Sequence, residues 1–455
     1  NLLCRFQRDM PETLLWQGLP EMTADLVRNY YLPAIVGGNS HHMVEFSSSN
    51  PRPKLLIVSH DVVDDKLAGP GMRYMELGRT LCKDINVTIT IPGESGIEIP
   101  QVEIQPYDDR NPGRLKKLVD KSDIVLVSSY LLDRFPFIEK SQARIIIDLY
   151  DPFVLENLHY YFDEPLDSQE VLNHQSVAIT NHLARAGDFF ICGNERQRDY
   201  WLGVLTSNGR VNPRNYSADS QLRKLIDVVG IGYPDQPPEP SHLLRGTHPL
   251  IPEDAQIILW GGGIWNWLDP ITLINAWPEV IKQFPKARLV FLGTRHPNPD
   301  IPIHQMAEDA QSLAENIGEK DKSIIFIEWL AYRDREALLS EADIGVSLHP
   351  IHIETRYSIR TRILDYIWAR LPILSTACDI TSEWIQDYKL GQVVLPHDSE
   401  AVVNALVSML RLPKESWKGQ FDAFGEAYKG EFVSAPLRQY CLEGGAAADR
   451  VERGE

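Results

Sequence analysis

Short, wholly apolar runs alternate with stretches of helical spacing along most of this chain, and that alternation constrains the fold more than any other feature. Residues 54–59 (Lys-Leu-Leu-Ile-Val-Ser) read as a strand buried on both faces, as in a parallel sheet. The signal repeats at 87–91, 124–128, 144–149, 189–193 and 225–229. Helical stretches lie between, such as 73–83, where Tyr74, Leu77 and Leu81 share a face. Alternation of this kind builds βαβ units. A Gly/Pro-rich stretch at 230–240 interrupts the pattern, which then restarts with strands at 256–260, 288–293, 324–327, 344–348 and 373–376. Helices are expected between them, at 271–284, 303–317, 334–341 and 360–369, and after them at 400–410. The fold class expected is α/β, with two Rossmann-like doubly wound domains facing each other across a cleft.

At 455 residues the chain is too long for one ordinary core. The expected organisation is a helical extension and linker at 1–50, including an amphipathic stretch at 12–31, then domains at 51–235 and 236–428. Residues 429–455 hold a last helix, at 430–443, returning toward the first domain, and a loose polar tail from Gly444 onward. Hydrophobic residues at 43% and charged residues at 24% give a soluble balance. A net charge of −18 argues against nucleic acid and against anionic membranes, although a local basic patch leaves peripheral membrane contact open. No apolar run approaches the roughly 20 residues of a membrane helix. Five scattered cysteines with no CxxC pair fit buried thiols in a reducing compartment, so a cytoplasmic protein is expected. His41-His42 and His349/His352 lack a third ligand at suitable spacing, so no metal is expected.

Three segments carry chemistry. Gly69-Pro70-Gly71-Met72-Arg73 lies between a strand and a helix, where small residues admit a ligand and Arg73 could reach a phosphate. Trp260-Gly261-Gly262-Gly263-Ile264-Trp265-Asn266-Trp267 combines a glycine loop with aromatic rings, of which Trp265 or Trp267 could face the cleft. The third runs from Ile353 to Tyr366 and concentrates Arg356, Arg360 and Arg362 in an acidic protein, which points to an anionic ligand. Asp365 lies on the same helical face as Arg362. In the first half, Asp148-Leu149-Tyr150-Asp151 ends a strand in the same cleft. Its carboxylates, and that of Glu156 beyond, are placed for an acceptor or a donor ring, or simply for a turn.

The run Arg362-Ile363-Leu364-Asp365-Tyr366-Ile367-Trp368-Ala369-Arg370-Leu371-Pro372 resembles the Lys-x-x-Glu-Tyr-Met-Ala-x-Gly-x-Pro signature of family 4 glycosyltransferases, and weaker likenesses extend over about 54–440. The resemblance implies the two-domain GT-B fold and a retaining, metal-independent transferase without a cofactor beyond a nucleotide-sugar donor. It places Arg362 at the diphosphate and Asp365 at the ribose hydroxyls. Gly69, Gly71, Arg73, Gly262, Gly263, Trp265, Arg295, Tyr357, Ser358 and Arg360 are expected around the donor. Two departures stand out: the family's other glutamate falls on Tyr357, with Glu354 one turn away, and its basic pair after the glycines is replaced by Trp265-Asn266-Trp267. Arg295 or Arg360 could supply that charge. Glu354, Arg362 and Asp151 are the expected catalytic groups. The implied reaction transfers a sugar to a glycan, lipid-linked or small-molecule acceptor; a nucleotide-sugar epimerase and a catalytically silent scaffold are the alternatives.

Overall fold

The computed structural model describes residues 52–61, 69–234, 236–294, 304–328, 330 and 334–450. The extension at 1–50, with His41-His42, and Arg295 lie outside the described residues. In the first half, β1 (Lys54–Val58), β2 (Asn86–Pro92), β3 (Glu103–Tyr107), β4 (Ile124–Val127), β5 (Arg144–Asp148), β6 (Phe189–Cys192) and β7 (Ile226–Val228) form one sheet. Their order is β3-β2-β1-β4-β5-β6-β7, and each pairing is parallel. In the second half, β8 (Gln256–Trp260), β9 (Ala287–Leu292), β10 (Ile324–Ile327), β11 (Ile344–Ser347), β12 (Ile373–Thr376) and β13 (Gly391–Val394) run β10-β9-β8-β11-β12-β13, again parallel. Both orders place the first strand at the centre and reverse direction beside it, where a crevice opens at the strands' carboxyl ends.

The apolar runs mark strands because both faces of each sheet are covered. On β1, Leu56 and Val58 enter one core with Val125 and Val127, while Leu55 and Ile57 enter another with Ile124 and Leu126. On β8, Ile258 and Trp260 face one core, and Ile257 and Leu259 the opposite one. The edge strands β3 and β13 were not expected from the sequence. Pro106 sits in β3, which suits an edge that needs no complete ladder.

The helices that bear on the cleft are α1 (Gly69–Leu81), α2 (Phe153–Tyr160), α3 (Leu166–Ala186), α4 (Glu195–Ser207), α5 (Pro270–Gln283), α6 (Arg335–Glu341), α7 (Ile353–Tyr357), α8 (Thr361–Trp368) and α9 (Ala435–Glu443). The Gly69-Pro70-Gly71 segment, expected as a loop, is the first turn of α1, where proline's missing N–H costs nothing. The helix expected at 360–369 is α8, and a further short helix not expected from the sequence, α7, precedes it and ends at Ser358 in extended backbone.

Helix α9 packs on the first sheet: Leu437, Tyr440 and Cys441 join its core, and Tyr440 stacks on Phe189 at 4.3 Å. The tail beyond is not loose as far as Arg450. Asp449 takes two bonds from the buried Arg210, at 2.8 and 3.0 Å, and one from Asn212. A buried guanidinium needs a carboxylate, and the tail supplies it. No helix among the described residues is long and apolar enough to cross a membrane.

Candidate functional site

The carboxyl ends of β8, β9 and β11 hold the glycine segment. Gly293 closes the turn after β9 with φ 69°, and a Cβ there would lie 2.9 Å from the amide nitrogen of Gly263, so only glycine fits. Tyr366, on α8, pins the other side: its hydroxyl accepts from Gly261 N at 2.7 Å and faces the carbonyls of Leu259 and Val346 at 3.1 and 3.0 Å. The ring lies against Gly345 of β11, where a Cβ would come within 2.5 Å of it. This packing fixes where α8 starts relative to the glycines.

One turn before Tyr366 on the same helix, Arg362 reaches that loop. Its Nη2 donates to Gly263 O at 2.7 Å, and the guanidinium carbon lies 5.0 Å from the Trp260 ring centroid. Gly262, at φ 149°, has its missing side chain aimed at the guanidinium. Arg362 is only 8% exposed, yet no carboxylate pairs with it among the described residues, and its Nη1 is buried without a hydrogen bond. Burial lowers its pKa to about 10, with Arg360 adding repulsion. A buried, uncompensated cation beside a bare backbone loop is an arrangement that an anion would complete.

A second cluster lies where the two halves meet. Arg360, just before α8, makes two bonds to the Glu354 carboxylate, at 2.9 and 2.8 Å. From the first half come Asp151 and Glu156, which lie within electrostatic reach of each other and of Glu354 and Arg360. Burial raises Asp151 to about 6, and it raises Glu156 well above the usual carboxylate range, with Asp151 adding to the effect. Both side chains nevertheless belong to partly exposed residues, so they sit in a crowded cleft wall rather than in a core.

The same wall carries His159 of α2 against His352, which caps α7, with ring centroids 3.9 Å apart. Burial, and then His159, lowers His352 to about 4, so both rings face each other uncharged at neutral pH. At Gly69, the start of α1, a Cβ would lie 3.5 Å from the Thr361 methyl of the second half and 3.9 Å from the Tyr150 hydroxyl. Trp265 stacks on Trp267 at 5.3 Å, and His304 meets both rings edge-on. Tyr160 of α2 approaches Trp267 from across the cleft.

Several expected site residues already have partners within the protein. Arg73 does not face a phosphate: it is fully buried, bonded to Asp148 at 2.7 and 3.0 Å and to the carbonyls of Val229 and Gly230. Burial opposes its charge, but Asp148 outweighs that and holds its pKa above the ordinary value. Gly71 is buried in the same helix. Tyr357 turns toward the first half, its ring 5.2 Å from Tyr200 and its carbonyl accepting from Asn194 and Gln197. Ser358 is buried beside it, contacting Thr355 O. Asp365 is paired with Arg335 of α6.

The sequence reading did not single out Arg335, Tyr366 or His159. Glu156, named there with the carboxylates that follow β5, lies five residues beyond Asp151 in the first turn of α2. Among the described residues no group of three His, Cys, Asp or Glu is placed to hold a metal ion.

Residues 255–411 match the family model described as glycosyl transferases group 1. No curated protein sequence matches the chain. Among solved structures, sucrose-phosphate synthase from Thermosynechococcus elongatus superposes with a TM-score of 0.60 at 13% identity, over 85% of this chain and 98% of that one. Anabaena HepE in complex with UDP-glucose gives 0.59 at 12% identity, over 86% and 98%. The trehalose-6-phosphate synthase OtsA gives 0.57 at 15% identity, over 86% and 98%. The shared architecture is the two-domain GT-B fold.

Proposed function

We propose that this chain, a GT-B protein resembling family 4 glycosyltransferases and carrying a group 1 glycosyl transferase domain, moves a sugar from a nucleotide diphosphate to a glycan, lipid-linked or small-molecule acceptor with retention of configuration. The observation that carries the reading is Arg362, buried beside the glycine loop and, among the described residues, without a carboxylate and with Nη1 unbonded. The structure of HepE with UDP-glucose supports a UDP sugar as the first donor to try.

In this reading Gly262 and Gly263 let the diphosphate approach the backbone, and Arg362 meets the charge that builds on it as the glycosidic bond breaks. A cation fixed where charge develops lowers the barrier more than it tightens substrate binding. Asp365 accepts the ribose hydroxyls, steadied by Arg335. Glu354, held by Arg360, borders the donor sugar, and Asp151 faces it from the first half. Departure and attack then occur on one face of the sugar, with the leaving phosphate taking the acceptor proton and no enzyme nucleophile.

Calorimetry with UDP, GDP, dTDP and ADP sugars tests the donor site, and product analysis with an anomerically defined donor tests retention. Binding of none of these nucleotides would favour a silent scaffold. Product formed from donor alone would favour an epimerase.

A further inference from the structure

Helix α7 ends without a cap of its own. The last carbonyls of a helix have no partner within it, and α7, five residues long, leaves those of Arg356 and Tyr357 in this state. Among the described residues, every hydrogen bond to these two oxygens is donated from the first half. Gln197 Nε2 donates to Tyr357 O at 2.8 Å, Asn194 Nδ2 to the same oxygen at 3.3 Å, and Arg196 Nη1 to Arg356 O at 3.5 Å. All three residues stand at the start of α4, with Asn194 as its N-cap.

Gln197 is wholly committed to this junction. It is fully buried, its Oε1 accepts from Gly193 N at 2.7 Å, and its Nε2 also donates to Tyr150 O at 2.6 Å. A side-chain amide carries two donors, and here they go to one carbonyl from each half. The residue therefore ties the segments that follow β5 and β6 to the end of α7.

Two further contacts converge on the same connector. A Cβ at Gly193 would lie 2.7 Å from Ile359 Cδ1, so any side chain at 193 would push the connector away. Arg196 also donates to Cys378 O at 3.3 Å and pairs with Glu383 in the helix Ile380–Asp387. Cys378 has φ 96°, which is unfavourable for a residue with a side chain, and such strain persists only where the surroundings hold it.

The grip reaches the candidate donor site through short links. Arg360 follows the connector and is bonded twice to Glu354 of α7, so the two move together. Arg362 comes two residues later, in the first turn of α8. Tyr366 holds α8 against the glycine loop one turn further on, and the connector holds the end from which Arg362 projects.

We propose that Gln197 and Arg196 are positioning residues for nucleotide binding: they cap α7 from the opposite half and so hold the 356–360 connector in the conformation that presents Arg362. This rests on the donor-site reading for the word nucleotide, but the hold on the connector can be read without any ligand.

The test combines hydrogen exchange and calorimetry on the full chain. Arg196 is the first residue to change, because its side chain is 28% exposed and its loss leaves both cores intact. Without nucleotide, Arg196→Met should speed exchange at residues 353–360 about tenfold, as the uncapped helix end frays, while amides of β5 and β8 keep the parent's rates. Arg196→Lys still offers a donor to one carbonyl and should recover about half of the lost protection. Gln197→Met removes both amide donors and should have the larger effect; where it does not fold, the Arg196 series decides. UDP affinity should fall about three- to tenfold in Arg196→Met, but less than about twofold when the same change is made in Arg362→Met. A merely structural role would weaken UDP equally in both backgrounds. Exchange at 353–360 within about twofold of the parent, no recovery by lysine, or a UDP effect that persists in the absence of Arg362 overturns the proposal. A parent that binds no UDP sinks the donor reading alone, and exchange still decides whether the first half holds the connector.

Discussion

Replacing Arg362 by methionine separates a residue kept for a ligand from one kept for the fold. Burial lowers the pKa of Arg362 to about 10, so holding the charge in the unliganded cleft costs about 3 kcal/mol. Methionine fills similar space and removes that cost. It also forfeits the bond to Gly263 O, worth about 1.5–3 kcal/mol for a charged donor, and the Trp260 contact, worth roughly 1 kcal/mol. The terms nearly cancel, so Arg362→Met should unfold within about 1–2 kcal/mol of the parent.

Arg73→Met is the control. It leaves Asp148 buried without its countercharge and should cost about 3–5 kcal/mol. UDP affinity should move the other way round. Arg362→Met loses a charge-assisted contact worth about 1.5–3 kcal/mol, a roughly 10- to 150-fold weakening. Arg73→Met, studied where it is still folded, should bind UDP nearly as the parent does. Urea unfolding and calorimetry read the two quantities. The reasoning fails if Arg362→Met is as unstable as Arg73→Met, or if it binds UDP within twofold of the parent.

Other perturbations address the neighbouring groups. Asp365→Ala should weaken UMP and UDP by similar factors, because it removes a ribose contact, whereas Arg362→Met should weaken UDP much more than UMP; NMR titration distinguishes them. Asp151 has its folded-state pKa raised from 3.8 to about 6, so its contribution to stability is fully present below about pH 4 and is lost as pH rises through 6. Asp151→Asn should therefore flatten the fall in stability between pH 5 and 7, by about 1–2 kcal/mol, measured by urea unfolding at each pH. Gly345→Ala places a methyl group in the Tyr366 ring and should cost about 1–3 kcal/mol while weakening UDP binding, because Tyr366 holds Gly261. Transfer rates should be unchanged by EDTA, since Arg362 supplies the positive charge at the leaving group; loss of activity restored by a divalent cation would refute this.

The sheet cores were legible because both their faces are apolar, so strands such as 54–59 and 256–260 carry unbroken hydrophobic runs that need no partner to be recognised. Two of the edges, β3 and β13, were not: β3 contains Pro106 and half-exposed positions in place of an unbroken apolar run. In the site, the segment through Arg362 and Asp365 was visible as charge concentrated on a well-packed helix. What the sequence withheld was pairing. Arg73 and Arg362 are both arginines near a glycine loop, and only the fold shows that Asp148 neutralises one while no carboxylate among the described residues pairs with the other. The link from Asp365 to Arg335 spans 30 residues of chain, and that between Glu354 and Asp151 spans the two halves, so neither leaves a local pattern.

Two features that cost the unliganded protein stability lie along the cleft. Arg362 is a buried cation without a carboxylate partner among the described residues, and Asp151 with Glu156 is a crowded pair of acids under strain to ionise. Either could be relieved by an ordinary substitution, yet their signs are opposite and their positions complementary. A positive charge on the nucleotide side pulls electrons toward the diphosphate, and a negative one on the opposite side favours a sugar ring that becomes positive between them. That polarity matches the charge separation of a breaking glycosyl–phosphate bond, and a pre-set field of this kind requires no reorganisation when the bond breaks. The argument has a measurable consequence: making the two sides alike, by combining Arg362→Met with Glu156→Gln, should stabilise the fold relative to Arg362→Met alone while abolishing transfer. Retained transfer in that double variant would show that the field is not what the cleft supplies.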